Sequence, residues 1–158
     1  GKILYGGRTD ASDRFIEPTL LEISNLDAPV MNEEIFGPVF PIITMDDEGR
    51  AFLEKAAEFV NSREKPLAFY YFGKESDGWK IVGMTSSGGG CINDVIMHIA
   101  NEKVPFGGVG NSGMGRYHDR ESFEAFSHTR SIIATGNWID LPFRYMPYKM
   151  FGLVKKIL

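Results

Sequence analysis

Between Phe40 and Asn93 the hydrophobic pattern switches repeatedly between short apolar runs and helical spacing, and that alternation leaves few folds open to the chain. Phe40 to Ile43 is a short apolar run. Phe52, Leu53, Ala56, Phe59 and Val60 then recur three and four residues apart, which puts them on one face of a helix from about Glu48 to Ser62. Asp46 and Asp47 stand ahead of it as candidate N-caps, because a short carboxylate can accept hydrogen bonds from the first free amides. Pro66 ends the helical stretch. Leu67 to Phe72 (LAFYYF) is apolar and aromatic throughout, the pattern of a strand covered on both faces. A second helix over Ser76 to Thr85 carries Trp79 and Val82, and Gly88 to Gly90 break it before the strand Cys91-Ile92-Asn93. The order β-α-β-α-β predicts an α/β fold, a parallel sheet with helices packed on it.

The bulk composition sets the remaining bounds. At 158 residues, with 43% hydrophobic and 24% charged residues, the chain has the size and balance of one folded domain with a real core. A net charge of -4 leaves no dominant basic face, so nucleic acid is not an expected partner. The one cysteine, Cys91, cannot form an internal disulfide, which fits a reducing, cytoplasmic compartment. Position 1 is glycine and no signal pattern follows it, so the natural polypeptide is expected to start elsewhere. The longest uncharged stretches, such as Ile81 to Asn93, are rich in Gly and Ser and too short to span a bilayer.

Asn32 to Val39 (NEEIFGPV) sets a carboxylate and an aromatic ring two residues apart, ahead of a Gly-Pro break. In an extended segment Glu34 and Phe36 point to the same side. A ribose could then lie across the ring with its hydroxyls donating to the carboxylate, which suits a nucleotide cofactor. The same spacing also describes a charged loop ahead of a strand. Pro105 to Gly115 is a loop dense in glycine. Its Gly108-Val109-Gly110-Asn111-Ser112-Gly113 matches G-x-G-x-x-G in spelling, but a Pro-Phe-Gly stretch precedes it and the required downstream acid is missing. Those glycines are better read as letting the backbone turn sharply and approach another surface closely.

Cys91 with His98 seven residues on has the residue types of a nucleophile and base. Cysteine is also among the most buried residue types, and inert packing behind three glycines is the better account. His98, His118 and His128 show no ligand spacing, so no metal is predicted. Gly110-Asn111-Ser112-Gly113-Met114 breaks the G-x-S-x-G pattern and sets aside hydrolase triads. Farther on, a helix around Arg120 to Ser127 carries Phe123 and Phe126. The β-branched run Ser131 to Thr135 then predicts a strand away from the first sheet, suited to an oligomer edge. From Leu141 the chain interleaves Arg144, Lys149, Lys155 and Lys156 with Phe143, Tyr145, Met150, Phe151, Leu153 and Val154. This basic amphipathic tail could lie on an acidic membrane surface or, the preferred reading, cover its own domain or a partner subunit.

NEEIFGPV, SSGGGCIND (Ser86 to Asp94) and PFGGVGNSGMGRYHDRESFEAFSHTRS (Pro105 to Ser131), taken together, resemble the aldehyde dehydrogenase superfamily. Arg8, FIEPT at Phe15 to Thr19 and REKPL at Arg63 to Leu67 look like its class-three branch, which includes the fatty and aromatic aldehyde dehydrogenases. The resemblance runs from about Ile3 to Thr135. It implies oxidation of aldehydes to carboxylates with NAD or NADP, through a thiohemiacetal, hydride transfer and thioester hydrolysis. It implies that Glu34 accepts hydrogen bonds from the nicotinamide ribose and that Phe36 packs beside that half of the cofactor. Asn93 and the turn holding Phe106 and Gly107 would close the substrate end of the pocket. The family's nucleophilic cysteine, general-base glutamate and oxyanion-hole asparagine lie in upstream motifs with no counterpart here, so no catalytic residue is assigned and Cys91 does not match the nucleophile.

By this resemblance, residues 1–127 form the C-terminal half of a catalytic domain, 128–140 an oligomerisation strand, and 141–158 the basic tail. The full-length enzyme would be a homodimer acting on an aldehyde, cytoplasmic, with a possible peripheral membrane contact through the tail. A second reading is a non-catalytic truncated paralogue used for dimerisation or membrane-surface attachment.

Overall fold

A computed structural model describes residues 1–140, 145–147 and 151–156. The chain divides into two units, Gly1–Ala125 and Phe126–Leu158. The first unit opens with β1 (Lys2–Tyr5), a small antiparallel hairpin of β2 (Thr9–Asp10) and β3 (Phe15–Ile16), and β4 (Thr19–Glu22). After the acid-and-ring segment come β5 (Val39–Ile42), α1 (Gly49–Asn61), β6 (Ala68–Tyr71), α2 (Glu75–Met84) and β7 (Gly89–Ile92). The short α3 (Met97–Ala100) and α4 (Asp119–Ala125) complete it.

The predicted alternation is present, with boundaries within one or two residues of those read from the periodicity. Its pairing needs correction. β6 and β7 run parallel, Ala68 opposite Gly89 through Tyr71 opposite Ile92, but β5 belongs to a different sheet. There it pairs in parallel with β4, Thr19 opposite Val39 through Glu22 opposite Ile42, while β1 flanks β4 antiparallel on the other side. Pro41 supplies part of the reason. It has no amide to donate, a residue tolerated at sheet edges, and β5 is the edge of its three-stranded sheet. Gly89 and Gly90, read as helix breakers, are themselves part of β7.

Neither Asp46 nor Asp47 caps α1. The N-cap position is Glu48, with no side-chain cap bond, and Asp47 instead pairs with Lys55 on the helix surface. The apolar stripe of α1 is centred on Leu53 and Ala57, which pack with Ile81 of α2 against Phe69 and Tyr71 of β6. Phe52, one position off that line, stays exposed. Gly78 brings α2 against the sheet, because a Cβ there would meet Ile92 and Tyr71 side-chain atoms at 2.9 Å.

Thr19 is the buried polar residue of the first sheet. Its hydroxyl accepts from the Gly7 amide at 3.0 Å and donates to the Glu17 carbonyl at 2.7 Å. Replacing it with valine keeps the shape and strands both partners. Thr19→Val is therefore expected to lower stability by about 1–3 kcal/mol, read from the denaturant midpoint of the full-length protein; an unchanged midpoint would count against this pairing.

In the second unit Ser131 to Thr135 joins no ladder among the described residues, and Ile132 and Ile133 stand 71% and 88% exposed. Phe151–Val154 forms one helical turn, α5. The remainder of the predicted amphipathic tail, residues 141–144, 148–150 and 157–158, lies outside the described residues.

Candidate functional site

The loop carrying Glu34 and Phe36 is slung between two anchors. On the entry side, Pro29–Met31 makes a single 3-10 turn, closed by the Asn32 amide on the Pro29 carbonyl at 3.1 Å. On the exit side, the Thr19 amide donates to the Pro38 carbonyl at 2.8 Å, one residue before β5 starts. Between these points residues 32–37 all lie on the surface. Ile35 is 36% exposed, whereas Phe36 is 92% exposed. Among the described residues neither the Glu34 carboxylate nor the Phe36 ring has a hydrogen-bond, ion-pair or ring partner. Both groups are free to meet a ligand.

Asn93, the residue after β7, lies in the left-handed region, φ 59°, a conformation asparagine tolerates. Its side-chain oxygen accepts from the Gly73 amide at 2.8 Å and its NH2 donates to the Gly73 carbonyl at 2.9 Å. The amide thus ties the end of β7 to the end of β6. Beside it, along β7, opens a cavity of about 690 Å³ lined by Phe69, Trp79, Val82, Cys91, Ile92 and Asn93. Ile96, three residues on, also holds a positive φ of 65°, a strained state for a β-branched residue.

The glycine loop reaches β7 by close backbone approach. A Cβ on Gly88 would meet the Gly107 carbonyl oxygen at 2.3 Å, and one on Gly107 would meet the Gly115 oxygen at 2.2 Å. Only glycine fits at either place. Phe106 pairs its backbone with Tyr117 in both directions, at 3.0 and 2.9 Å. Its ring sits in a chain of edge and tilted contacts, 5.6 Å from His98 and 5.6 Å from Tyr117, and Tyr70 continues the chain beyond His98.

Cys91 is half-buried, its sulfur 3.6 Å from Nδ1 of His98. The two residues that the sequence set side by side as a possible pair are therefore neighbours. Nε2 of His98 is buried and has no partner. Asn93 lines the cavity, while Phe106 and Gly107 lie with the ring chain and the glycine turn, and Glu34 and Phe36 form a separate exposed edge. Among the described residues no group of three His, Cys, Asp or Glu side chains could hold a metal ion, and no helix is long and apolar enough to cross a membrane. Sequence reasoning missed the Gly73 clamp, the Tyr70 and Tyr117 rings and the Arg63 contacts to the entry turn. The left-handed preference of asparagine was a signal for the first; the others depend on partners distant in the chain.

The described residues thus form an α/β piece with an open acid-and-ring edge, a parallel strand pair and a glycine loop packed backbone to backbone. Compared with known proteins, residues 1–132 match the family model for the aldehyde dehydrogenase family. The chain belongs to that family. It is 44% identical over 148 residues to 4,4'-diaponeurosporen-aldehyde dehydrogenase of Staphylococcus aureus (strain NCTC 8325 / PS 47), covering 93% of this chain and 31% of that protein. It is 52% identical over 133 residues to the dimeric NADP-preferring aldehyde dehydrogenase of Rattus norvegicus, covering 84% and 28%. The solved substrate-bound state of Staphylococcus aureus AldH superposes with a TM-score of 0.78 at 42% identity, over 98% of this chain and 33% of that one. A Mycobacterium tuberculosis aldehyde dehydrogenase complexed with NAD+ gives 0.72 at 30% identity, over 88% and 28%. The chain thus spans about a third of the length of these relatives.

Proposed function

We propose that this chain works as part of an NAD(P)-dependent aldehyde dehydrogenase, holding the nicotinamide ribose and forming one wall of the substrate pocket. The observation that carries the reading is the Glu34–Phe36 edge: carboxylate and ring both unpartnered, Ile35 more sheltered, and the loop fixed at both ends. Glu34 would accept the ribose hydroxyls, and Phe36 would cover the adjoining half of the cofactor. When bound, the nicotinamide accepts a hydride from the substrate. Asn93, with its amide committed to Gly73, would shape the substrate end by holding the strand ends together rather than by bonding the aldehyde. Phe106 and Gly107 would close that end with a ring and a tight turn.

The nucleophile and the general base are assigned to sequence outside these residues, and Cys91 to packing. Residues 1–127 would be the C-terminal half of the catalytic domain, and Ser131 to Thr135, with Ile132 and Ile133 exposed, the strand that pairs with other chain in a homodimer. The tail would cover protein surface in a cytoplasmic enzyme, with peripheral membrane contact as its other use. Aldehyde-dependent formation of NADH or NADPH by the full-length polypeptide tests the central reading. No reduction of either cofactor with aliphatic or aromatic aldehydes would sink it.

A further inference from the structure

REKPL at Arg63 to Leu67 bridges α1 and β6, and none of its residues is assigned to the ligand. Its first residue reaches back more than thirty positions. Nη1 of Arg63 donates to the Met31 carbonyl at 3.0 Å, and Nη2 donates to the Leu26 carbonyl at 2.9 Å. The guanidinium also lies 4.8 Å from the centre of the Phe59 ring on α1, which fixes its plane. Met31 closes the 3-10 turn that feeds directly into residues 32–37, and among the described residues no side-chain hydrogen bond or ion pair anchors that stretch. We propose that Arg63 is a positioning residue for the cofactor edge: it grips the last carbonyl of the entry turn, Met31, and the Leu26 carbonyl ahead of that turn, and so fixes where Glu34 and Phe36 stand. The inference rests on the ribose assignment made above.

The chemistry explains why an arginine is needed. A planar guanidinium presents donors in a rigid fork and can satisfy two carbonyls at once, whereas an ammonium is a single point on a flexible stem. The exit of the loop is held by backbone, Thr19 to Pro38, so Arg63 is the side chain that decides the other end. The neighbouring Glu64 serves a different loop, its Oε1 accepting from Nδ2 of Asn111 at 2.8 Å. That contact makes it an internal control.

The test uses the full-length polypeptide with Arg63→Ala, Arg63→Lys and Glu64→Ala. Arg63→Ala is expected to raise the cofactor Kd about tenfold, the scale of one charge-assisted hydrogen bond, with the aldehyde KM unchanged. Arg63→Lys should recover less than half of that loss, and Glu64→Ala should leave cofactor Kd unchanged. In a Glu34→Gln background the Arg63→Ala effect should largely vanish, because both changes act on the same contact. Amide hydrogen exchange gives a readout independent of turnover: residues 32–36 should exchange faster in Arg63→Ala while α1, β6 and residues 107–115 keep their protection. Unchanged cofactor Kd, full additivity with Glu34→Gln, or loosening spread through α1 and β6 would each overturn the proposal. If the wild-type polypeptide oxidises no aldehyde, the functional reading fails, and the exchange pattern still decides whether Arg63 holds the loop.

Discussion

Purified by itself, the 158-residue chain is expected to form no NADH or NADPH from any aldehyde. Covalent aldehyde oxidation needs a nucleophile oriented against the carbonyl, and orientation of that kind is worth on the order of 7–11 kcal/mol of barrier. Cys91 is the only thiol, half-buried beside His98, and it does not match the family's nucleophile motif. The chain also lacks covering surface. Among the described residues only Ile23, Leu53, Ala57 and Ile81 are buried apolar side chains, while Phe36, Phe40, Phe72 and Trp79 are 64% exposed or more. A sheet piece with that balance is expected to associate or to pack against further chain. Assay with both cofactors and a panel of aldehydes checks the first expectation. Turnover that is abolished by alkylating Cys91 would overthrow it.

In the full-length polypeptide, Glu34→Gln is expected to weaken cofactor positioning by about 1.5–3 kcal/mol, the range of hydrogen bonds to charged groups. That is roughly a ten- to 150-fold loss. An amide removes the charge and keeps only one acceptor oxygen, so the ribose hydroxyls lose one acceptor and the charge-assisted character of the other bond. Stability should hardly change, since the carboxylate is exposed and unpartnered in the structure. Cofactor titration and single-turnover hydride transfer measure the effect. Unchanged affinity together with an unchanged rate would remove Glu34 from the cofactor site.

Much of this was legible from residues near one another in sequence. Helix spacing put Phe52, Leu53, Ala56, Phe59 and Val60 on one face, of which Leu53 and Ala56 join the core while Phe52 is exposed and Ala57 was missed, and LAFYYF announced β6. Strand partners were less accessible, because pairing depends on residues far apart: β5 joins β4 rather than β6, and Pro41, in plain view, was the cue to an edge. The N-cap expectation at Asp46 and Asp47 failed because Glu48 holds the cap position, and Asp47 pairs with Lys55 on the helix instead. At the site, the acid-x-ring spacing singled out Glu34 and Phe36, and both lie on an exposed stretch of chain. Whether Arg63 would meet Met31 and Leu26, or Asn93 would close on Gly73, could not be read from spacing, since each contact needs the fold first.

The most direct measurement of the central claim is a crystal structure of the full-length polypeptide with its nicotinamide cofactor bound. In that structure the Glu34 carboxylate is expected within hydrogen-bond distance of the nicotinamide ribose hydroxyls and the Phe36 ring against the same half of the cofactor. A ribose held by other residues, with Glu34 and Phe36 facing solvent, would contradict the claim.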